Sequence, residues 1–412
     1  MKVVVIGAGA AGMMAAITSA KNNNDVILIE KTKSIGNKVK ITGKGRCNLT
    51  FDGDIEDFKN NIVKNDKFMY SSFSNFTNKD VVEYFNSLGV KTKVERGGRI
   101  FPASDRAEDV VLALKNELKK YNVKIDYEIE LKDFIIKDNT LIGIKTNKKD
   151  YFADKFILCT GGKSYKTTGS SGEGFELLKK YGHNIIDLRP GLVPLKSNDE
   201  ICKRLQGLTL KNVGFKILDK EKVIYDSFGE MLFAHFGLTG PIVLSGSSLL
   251  NRLENLRDKF TKKNIYGIID LKPALSLETL DKRIKRDFDK YSNKEFKNSL
   301  VDLLPQKMIP VIVELSNIKP DKKVHQITKE ERGRLAYLIK NLKIQIADLM
   351  PIDIAIITCG GVDVKQINPK TMESKVIKNL FLAGEVLDVD AFTGGFNLQI
   401  AFSTAVAAGK NI

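Results

Sequence analysis

The chain has 412 residues, enough for two or three domains with substantial cores, and 42% of them are hydrophobic. No apolar run approaches the roughly 20 residues that a membrane-spanning helix needs, which argues against an integral membrane protein. The sequence begins inside its first expected strand, with no room for a signal peptide, and its four cysteines form no C-x-x-C pair. We therefore expect a cytoplasmic protein.

The chain carries 66 basic and 50 acidic residues, a net charge of +16. This charge suggests either a nucleic-acid partner or an acidic substrate, or else only a lysine-rich surface. The lysines are scattered and no RNA- or DNA-binding motif is visible, so we favour a small-molecule substrate without nucleic acid. The three histidines are far apart and show no zinc-ligand spacing, so no metal site is expected.

The first thirty residues show a strand–turn–helix–strand pattern. Residues 2–6 form an almost uninterrupted apolar run, typical of a strand buried on both faces. Gly7-Ala8-Gly9-Ala10-Ala11-Gly12 follows at once, and residues 11–21 have the small and apolar side chains of a buried helix. A second apolar run, 26–29, ends in Glu30. The sequence predicts a dinucleotide-binding βαβ unit.

Each part of this fingerprint has a physical role. Gly7 allows the tight turn, Gly9 lets the backbone approach a pyrophosphate, and Gly12 lets the helix pack close to the strand. The helix N-terminus offers N–H groups and the positive end of its dipole to the phosphates. Glu30 lies 18 positions after Gly12, where an acid accepts from ribose hydroxyls and disfavours a 2′-phosphate.

A glycine-rich basic loop spans residues 31–50. Its segment Gly43-Lys44-Gly45-Arg46 resembles a P-loop but lacks the Ser or Thr after the lysine. Two interpretations remain: backbone N–H groups and Arg46 contact a pyrophosphate, or the segment is a surface turn. Cys47 has no neighbouring partner cysteine, so a dithiol relay to a cofactor is not expected and a small packed side chain is.

The next elements alternate between helices and strands. Residues 78–88 and 105–121 are predicted as amphipathic helices, with N-caps at Asn78 and at Ser104 or Asp105. Strands are predicted at 123–136, 141–145 and 156–162, the last ending in Gly161-Gly162, where a cofactor can approach the backbone.

The composition changes near Arg189-Pro190-Gly191. Short strand-like pieces are predicted over 193–226, and residues 229–241 are predicted as a glycine-rich link into a helix. The region 276–347 is charged and helix-patterned, with Ser276 as an N-cap. We predict an inserted region with a small β unit and a helical cap.

The C-terminal part returns to cofactor-binding patterns. A buried strand is predicted at 353–358. Residues 380–385 are predicted to form a strand that ends in Gly-Glu. A helix of small residues then runs to Ala408. An N-terminal fingerprint with a C-terminal strand–Gly–acid is the arrangement of two-dinucleotide-binding-domain flavoproteins. There the last helix points its N-terminus at the flavin, which stabilises negative charge on the reduced ring.

Several longer motifs resemble one family. The sequence is similar to the bacterial NAD(P)/FAD-dependent oxidoreductases that include aminoacetone oxidase and BaiN-like flavoproteins. The motifs that carry this resemblance are 41–48, 98–102, 160–165, 235–241, 358–362 and 383–397. The resemblance implies a non-covalent FAD, and places Gly384, Glu385, Asn397 and Leu398 along the ribitol and flavin.

The resemblance also implies a three-part α/β architecture. A Rossmann-like FAD-binding domain is expected over 1–190 and 358–412, an inserted β-barrel over 191–270 and 341–357, and a helical domain over 271–340. The complete set of expected FAD-binding residues is Gly7, Gly9, Ala10, Ala11, Gly12, Glu30, Lys31, Lys38, Gly45, Arg46, Cys47, Asn48, Leu131, Thr160, Gly161, Gly162, Gly361, Gly384, Glu385, Asn397 and Leu398.

The sequence leaves alternatives open for the acid/base residues, the electron donor and the reaction. His235 and Tyr165 are the candidate acid/base residues, although each also fits a structural or surface position. No second G-x-G-x-x-G is present, so NAD(P)H is expected at most as a transient donor. The main hypothesis is hydride transfer between FAD and a small organic substrate or NAD(P)H. An amine oxidase that uses oxygen and an RNA-modifying or RNA-binding flavoprotein are the alternatives.

Overall fold

The computed structural model describes residues 1–412 and divides into two compact units. Unit 1 comprises Met1–Gly191 and Pro351–Ile412, and unit 2 comprises Leu192–Met350. Unit 2 is thus inserted into the sequence of unit 1. No helix combines the length and apolar character that crossing a bilayer requires.

The strands are, in chain order, β1 Lys2–Ile6, β2 Asp25–Glu30, β3 Thr50–Phe51, β4 Ile62–Lys64, β5 Thr92–Glu95, β6 Arg99–Pro102, β7 Lys124–Tyr127, β8 Leu131–Lys137, β9 Thr140–Thr146, β10 Tyr151–Phe152, β11 Lys155–Leu158, β12 Ile185–Gly191, β13 Leu195–Lys196, β14 Thr209–Asp219, β15 Lys222–Ala234, β16 Gly237–Thr239, β17 Ile265–Asp270, β18 Leu342–Gln345, β19 Asp348–Leu349, β20 Ile357–Val362, β21 Leu380–Leu382 and β22 Asp390–Ala391.

The α-helices are α1 Ala10–Lys21, α2 Asn37–Ile41, α3 Ile55–Asn61, α4 Tyr70–Asn75, α5 Asn78–Ser87, α6 Ala107–Lys120, α7 Glu173–Lys180, α8 Glu200–Arg204, α9 Pro241–Leu250, α10 Leu256–Thr261, α11 Leu277–Lys290, α12 Ile309–Leu315, α13 Lys329–Lys340 and α14 Phe396–Lys410.

A five-stranded parallel sheet organises unit 1, in the order β21-β11-β1-β2-β7. Its central strand β1 is buried from Val3 to Ile6, as its apolar run predicts. Helices α1 and α14 pack against each other through small residues, and a Cβ on Gly409 would lie 2.8 Å from the Ala15 carbonyl oxygen. The first and last parts of the chain therefore share one core, and the predicted Rossmann-like α/β fold is confirmed.

Unit 2 is built on a seven-stranded antiparallel sheet in the order β18-β17-β14-β15-β16-β13-β19. Its helices share one hydrophobic core with this sheet, in which Phe215 and Ile269 of the strands cluster with Ile284 and Leu335 of the helices. The antiparallel strands and the helical segment thus form one compact unit.

Several local predictions were wrong. Residues 229–234 belong to the long strand β15, because Met231 and Phe233 are buried alternately and override the glycine signal. Only the end of the strand predicted at 353–358 is extended. A short helical turn occupies Ile352–Ile354 after Pro351, and β20 starts at Ile357.

Of the three predicted helix N-caps, the structure contains one. Ser276 accepts a hydrogen bond from the Thr279 N–H and caps α11, as predicted. Thr77, not Asn78, caps α5 and forms a reciprocal pair with Asp80. Neither Ser104 nor Asp105 caps α6, whose N-cap position is Arg106 without a side-chain hydrogen bond.

Candidate functional site

The three fingerprint glycines are in different surroundings at the junction of β1 and α1. Gly7 has φ +96°, and a Cβ there would lie 2.6 Å from the Cys159 carbonyl oxygen. A Cβ on Gly12 would lie 1.7 Å from the Gly7 carbonyl oxygen, so only glycine allows this helix–strand packing. A Cβ on Gly9 would meet nothing within 4 Å. The backbone at Gly9 is therefore open to a ligand.

Glu30 lies at the end of β2 and contacts this turn directly. Its Oε2 accepts from the Ala8 N–H at 2.8 Å, and its Oε1 accepts from the N–H and hydroxyl of Thr32 at 2.9 and 2.8 Å. A carboxylate offers about four acceptor positions, so these three hydrogen bonds orient Glu30 and leave room for one hydroxyl donor.

Two further predicted residues flank the end of β2. The Glu30 carbonyl accepts from the Ile129 N–H at 2.9 Å, which holds the chain before β8 and its first residue, the partly buried Leu131, alongside β2. The Lys31 ammonium contacts the Ser171 hydroxyl and lies 3.2 Å from a carboxylate oxygen of Glu173.

The basic loop is fixed by ion pairs. The Arg46 guanidinium pairs with Glu95 and donates from Nε to Asp105 Oδ1 at 2.7 Å, while its central carbon lies 4.2 Å from the centre of the Phe101 ring. Hydrogen bonds from Lys93 and, second, from Arg46 hold the pKa of the Asp105 carboxyl below its usual range. The hydrogen bonds of Arg46 thus go to carboxylates of its own unit.

The same loop places its backbone in unusual conformations. Gly45 has φ +83° and Cys47 has φ +61°. Cys47 is fully buried, and burial raises the pKa of its thiol to about 12. The thiol is therefore protonated at neutral pH, as a packed side chain would be.

Asn48 and Asn397 both contact the start of α14. In the amide orientation that satisfies its neighbours, Asn48 accepts from the Gly395 N–H at 3.0 Å and donates to the Thr50 and Ile100 carbonyls at 3.1 Å. Asn397 accepts from the Ala391 N–H at 3.0 Å and donates to the Ala391 carbonyl at 2.9 Å. These contacts fix the first turn of α14, which contains the partly buried Leu398.

A polar network lies at the carboxyl ends of β11 and β21. The Lys38 ammonium lies 2.8 Å from Glu385 Oε2 and donates to Ser164 Oγ at 2.8 Å. Glu385 Oε1 accepts from the Thr358 N–H at 2.8 Å, and a Cβ on Gly162 would lie 2.7 Å from the same oxygen.

The glycines near this network serve close packing. A Cβ on Gly384 would lie 2.7 Å from the Ala11 Cβ, and one on Gly361 would lie 2.7 Å from the Val386 carbonyl oxygen. Gly161 has φ +72°, in the turn that follows β11 and Thr160. These short approaches bring the 384–386 segment against α1, at the fingerprint.

The two candidate acid/base residues lie in different units. Tyr165 belongs to unit 1, is partly buried with φ +52°, and donates its N–H to the Asp353 carbonyl at 3.2 Å. His235 belongs to unit 2 and is exposed in the turn between β15 and β16.

Sequence reasoning did not single out Ser164 or Thr358. Both are buried, and the Thr358 hydroxyl accepts from the N–H groups of Lys163 and Ser164 at 2.7 and 3.2 Å. The available signal was a hydroxyl residue two positions from each Gly-Gly pair.

The residues present fit an FAD. Helices α1 and α14 each begin at a glycine, carry no side-chain cap and have no acidic residue in the first turn. Their first N–H groups have no acceptor inside the helix, and the dipole favours negative charge there. The open backbone at Gly9 and the oriented carboxylate of Glu30 complete a cradle for a diphosphate and a ribose.

Comparisons with known proteins identify the family. A family model described as "HI0933-like protein Rossmann domain" matches residues 1–411. A Clostridium scindens protein named 3-dehydro-bile acid delta(4,6)-reductase is 30% identical over 419 residues, covering 99% of this chain and 98% of its own. An Escherichia coli protein named ribosomal RNA dihydrouridine synthase is 28% identical over 409 residues, covering 99% and 97%.

A solved structure shows the same fold. The 3-ketosteroid delta1-dehydrogenase from Sterolibacterium denitrificans aligns over 99% of this chain and 98% of its own, with a TM-score of 0.50 and 11% identity. Together with the full-length family match, these similarities confirm the resemblance drawn from the motifs. The chain belongs to the HI0933-like Rossmann family of flavoprotein oxidoreductases.

Proposed function

We propose that unit 1 binds FAD non-covalently through the predicted residues, and that the bound flavin exchanges a hydride with a small organic substrate. The observation that carries this proposal is the pairing of two uncapped helix starts, those of α1 and α14, which pack against each other in one core. The start of α1 suits the pyrophosphate. The start of α14 suits the electron-rich edge of a reduced flavin.

FAD would supply the hydride chemistry, and the chain would supply binding and orientation. Glu30 holds the ribose, Gly9 admits the pyrophosphate, and Asn48 and Asn397 fix the helix start that faces the flavin. Hydride transfer proceeds by positioning, so the protein's main contribution is geometric. We propose Tyr165 and His235 as the candidates for the accompanying proton transfer.

The names of the relatives suggest a substrate class. One relative is named a 3-dehydro-bile acid delta(4,6)-reductase and another a dihydrouridine synthase. Both names describe the reduction of a carbon–carbon double bond that lies in conjugation with a carbonyl. We propose that this chain also reduces such a bond. Because the sequence has no second dinucleotide fingerprint, NAD(P)H would act as a transient donor at the flavin.

The test is an anaerobic stopped-flow experiment on the purified protein loaded with FAD. Bleaching of the visible flavin bands by NADH or NADPH, followed by recovery with a steroid 4,6-dien-3-one, is the expected result. Peroxide release with a primary amine in air would instead indicate an amine oxidase. Absence of the flavin bands, and no uptake of added FAD, would contradict the proposal.

An RNA substrate is the second candidate. It is favoured by the net charge of +16 and by the names of the Escherichia coli relative and of a Haemophilus influenzae relative that is 29% identical over 415 residues. If this candidate is right, a ribosomal RNA fragment reoxidises the reduced flavin and gains dihydrouridine. Binding that is equally tight to any polyanion, and equally salt-sensitive, would exclude it.

A further inference from the structure

The ion pair of Lys38 and Glu385 is held in place by groups from two further segments. Lys38 Nζ lies 2.8 Å from Glu385 Oε2 and 3.0 Å from Oε1, and 20% and 23% of the two side chains are exposed. The buried Ser164 hydroxyl accepts from Lys38, and the Thr358 N–H donates to Glu385. Because both partners are buried and Thr358 lies in β20, the two charges are fixed relative to the protein core.

This pair lies in the cradle assigned above to FAD. Glu385 directly follows Gly384, which approaches Ala11 in the first turn of α1, and Glu385 Oε1 lies against Gly162 at the end of β11. In open α/β sheets, ligands bind at the carboxyl ends of the parallel strands. The pair therefore occupies the edge of the sheet where a dinucleotide is expected.

Glu385 keeps unused hydrogen-bonding capacity, whereas Lys38 does not. An ammonium has three donors, and Lys38 directs them to the Glu385 carboxylate and the Ser164 hydroxyl. Glu385 Oε2 accepts from Lys38, while Oε1 accepts from three donors, namely Lys38, Ser164 and Thr358. All three donors of Lys38 are thus used, whereas Glu385 Oε2 keeps an acceptor position that can face a bound ligand.

The two opposite charges largely cancel at a distance, so neither perturbs a neighbouring cofactor strongly while both are present. Loss of one leaves the other uncompensated in a partly buried site, where salt screens it less than at the surface. A flavin gains negative charge when it is reduced. An unpaired carboxylate therefore disfavours the reduced form, and an unpaired ammonium favours it.

From this geometry we infer that Lys38 and Glu385 act as a balanced charge pair, in which each charge cancels the shift that the other alone would cause in the reduction potential of the flavin. The inference rests on the proposed function, because it requires FAD at this cradle. If the two residues had a purely structural role, their substitution would weaken the binding of oxidised and reduced FAD equally and would leave the reduction potential unchanged.

The test compares Lys38→Met, Glu385→Gln and the double variant, each loaded with FAD and equilibrated anaerobically with a reference dye of known potential. We expect Lys38→Met to weaken binding of reduced FAD about tenfold more than that of oxidised FAD, which for a two-electron couple lowers the potential by about 30 mV. Glu385→Gln should raise the potential by a similar amount, and the double variant should return close to the wild type.

Two controls complete the design. Lys59→Met removes a lysine of unit 1 that pairs with Glu56 on the surface, and it should leave the potential unchanged. Lys38→Arg keeps the charge and should also preserve the potential, even if Lys38→Met proves hard to fold.

The experiment distinguishes failure of the proposed function from failure of this inference alone. A wild-type protein that takes up no FAD overturns the proposed function and this inference together. A wild type that binds FAD, with Lys38→Met and Glu385→Gln shifting the potential in the same direction or not at all, overturns the inference alone.

Discussion

The Thr50 hydroxyl donates to the Gln399 Oε1 at 2.6 Å, and both residues are fully buried. Gln399 in turn donates to the Phe76 carbonyl at 3.0 Å. This relay joins the strand after the glycine-rich loop to the first turns of the last helix.

Thr50→Val should therefore destabilise unit 1, because it leaves the Gln399 oxygen buried without its donor. We expect a loss of about 1–3 kcal/mol in the free energy of unfolding. Urea denaturation followed by circular dichroism measures it. Thr167→Val, at an exposed position of the same unit, is the matched control and should change stability by less than about 0.5 kcal/mol. Equal effects of the two substitutions would contradict the assignment.

Gly9→Ala and Gly12→Ala should separate ligand binding from folding. At Gly9, φ is −77° and the added methyl meets open space, so the apo protein should fold with unchanged or slightly higher stability. The same methyl would occupy the path of the pyrophosphate and should weaken FAD binding at least tenfold. At Gly12 it would collide with the Gly7 carbonyl and prevent folding. Thermal unfolding and FAD fluorescence titration distinguish these effects, and a Gly9→Ala protein with wild-type affinity would place the cofactor elsewhere.

The stability of the protein should fall in mild acid because of His183. Its ring is buried, its Nε2 lies 2.8 Å from the Ser374 hydroxyl, and its Nδ1 has no partner. Burial lowers the pKa of His183 below 6.5, so the unfolded state binds the proton first as the pH falls. The stabilising contribution is present above the unfolded pKa of about 6.5 and is lost below it, at up to about 1.4 kcal/mol per pH unit.

Urea denaturation between pH 8 and pH 5 measures this slope. We expect His183→Gln to be less stable at pH 8 but to show a flatter pH dependence over this range. His325→Gln changes an exposed histidine and should keep the wild-type slope. A His183→Gln protein with the full wild-type slope would rule out this residue as the cause.

Native cysteines should resist alkylation. All four are buried, and burial raises the pKa of Cys47 to about 12 and that of Cys202 to about 11. Since the thiolate is the nucleophile, iodoacetamide at pH 8 should modify the folded protein far more slowly than the urea-unfolded protein. Mass spectrometry of the intact chain gives the extent of modification. Rapid labelling of native Cys47 would contradict the burial of this thiol.

Tyr165→Phe should test the proposed proton transfer. Tyr165 follows Ser164, whose hydroxyl contacts both Lys38 and Glu385. A general acid contributes about 10²–10⁴-fold, so the substitution should slow substrate reduction by that factor while leaving flavin reduction by NAD(P)H and FAD affinity unchanged. Single-turnover kinetics separates the two half-reactions. His235→Gln is measured in the same way, and whichever variant retains wild-type turnover is removed from the proton-transfer step.

The parts of the fold and site that the sequence predicted depend on local chemistry. Gly7, Gly9 and Gly12 lie within six residues at the junction of β1 and α1, so their roles can be read from spacing alone. The pairing of Lys38 with Glu385 joins residues 347 positions apart, and only the folded sheet brings them together. Gly229 misled the prediction because alternating burial across a long hairpin outweighs the local preference of one glycine.

The order of the chain also affects how the protein is made. Unit 2 interrupts unit 1, and β21 and α14, which complete the sheet and the cradle, come after it. A ribosome must therefore synthesise the whole of unit 2 before it makes β21 and α14, the elements that complete the sheet and the cradle around the N-terminal glycine turn. Until then, the growing polypeptide lacks α14, the helix that packs against α1 in the complete chain. Fragments that end before α14 should therefore take up no flavin at the site proposed here.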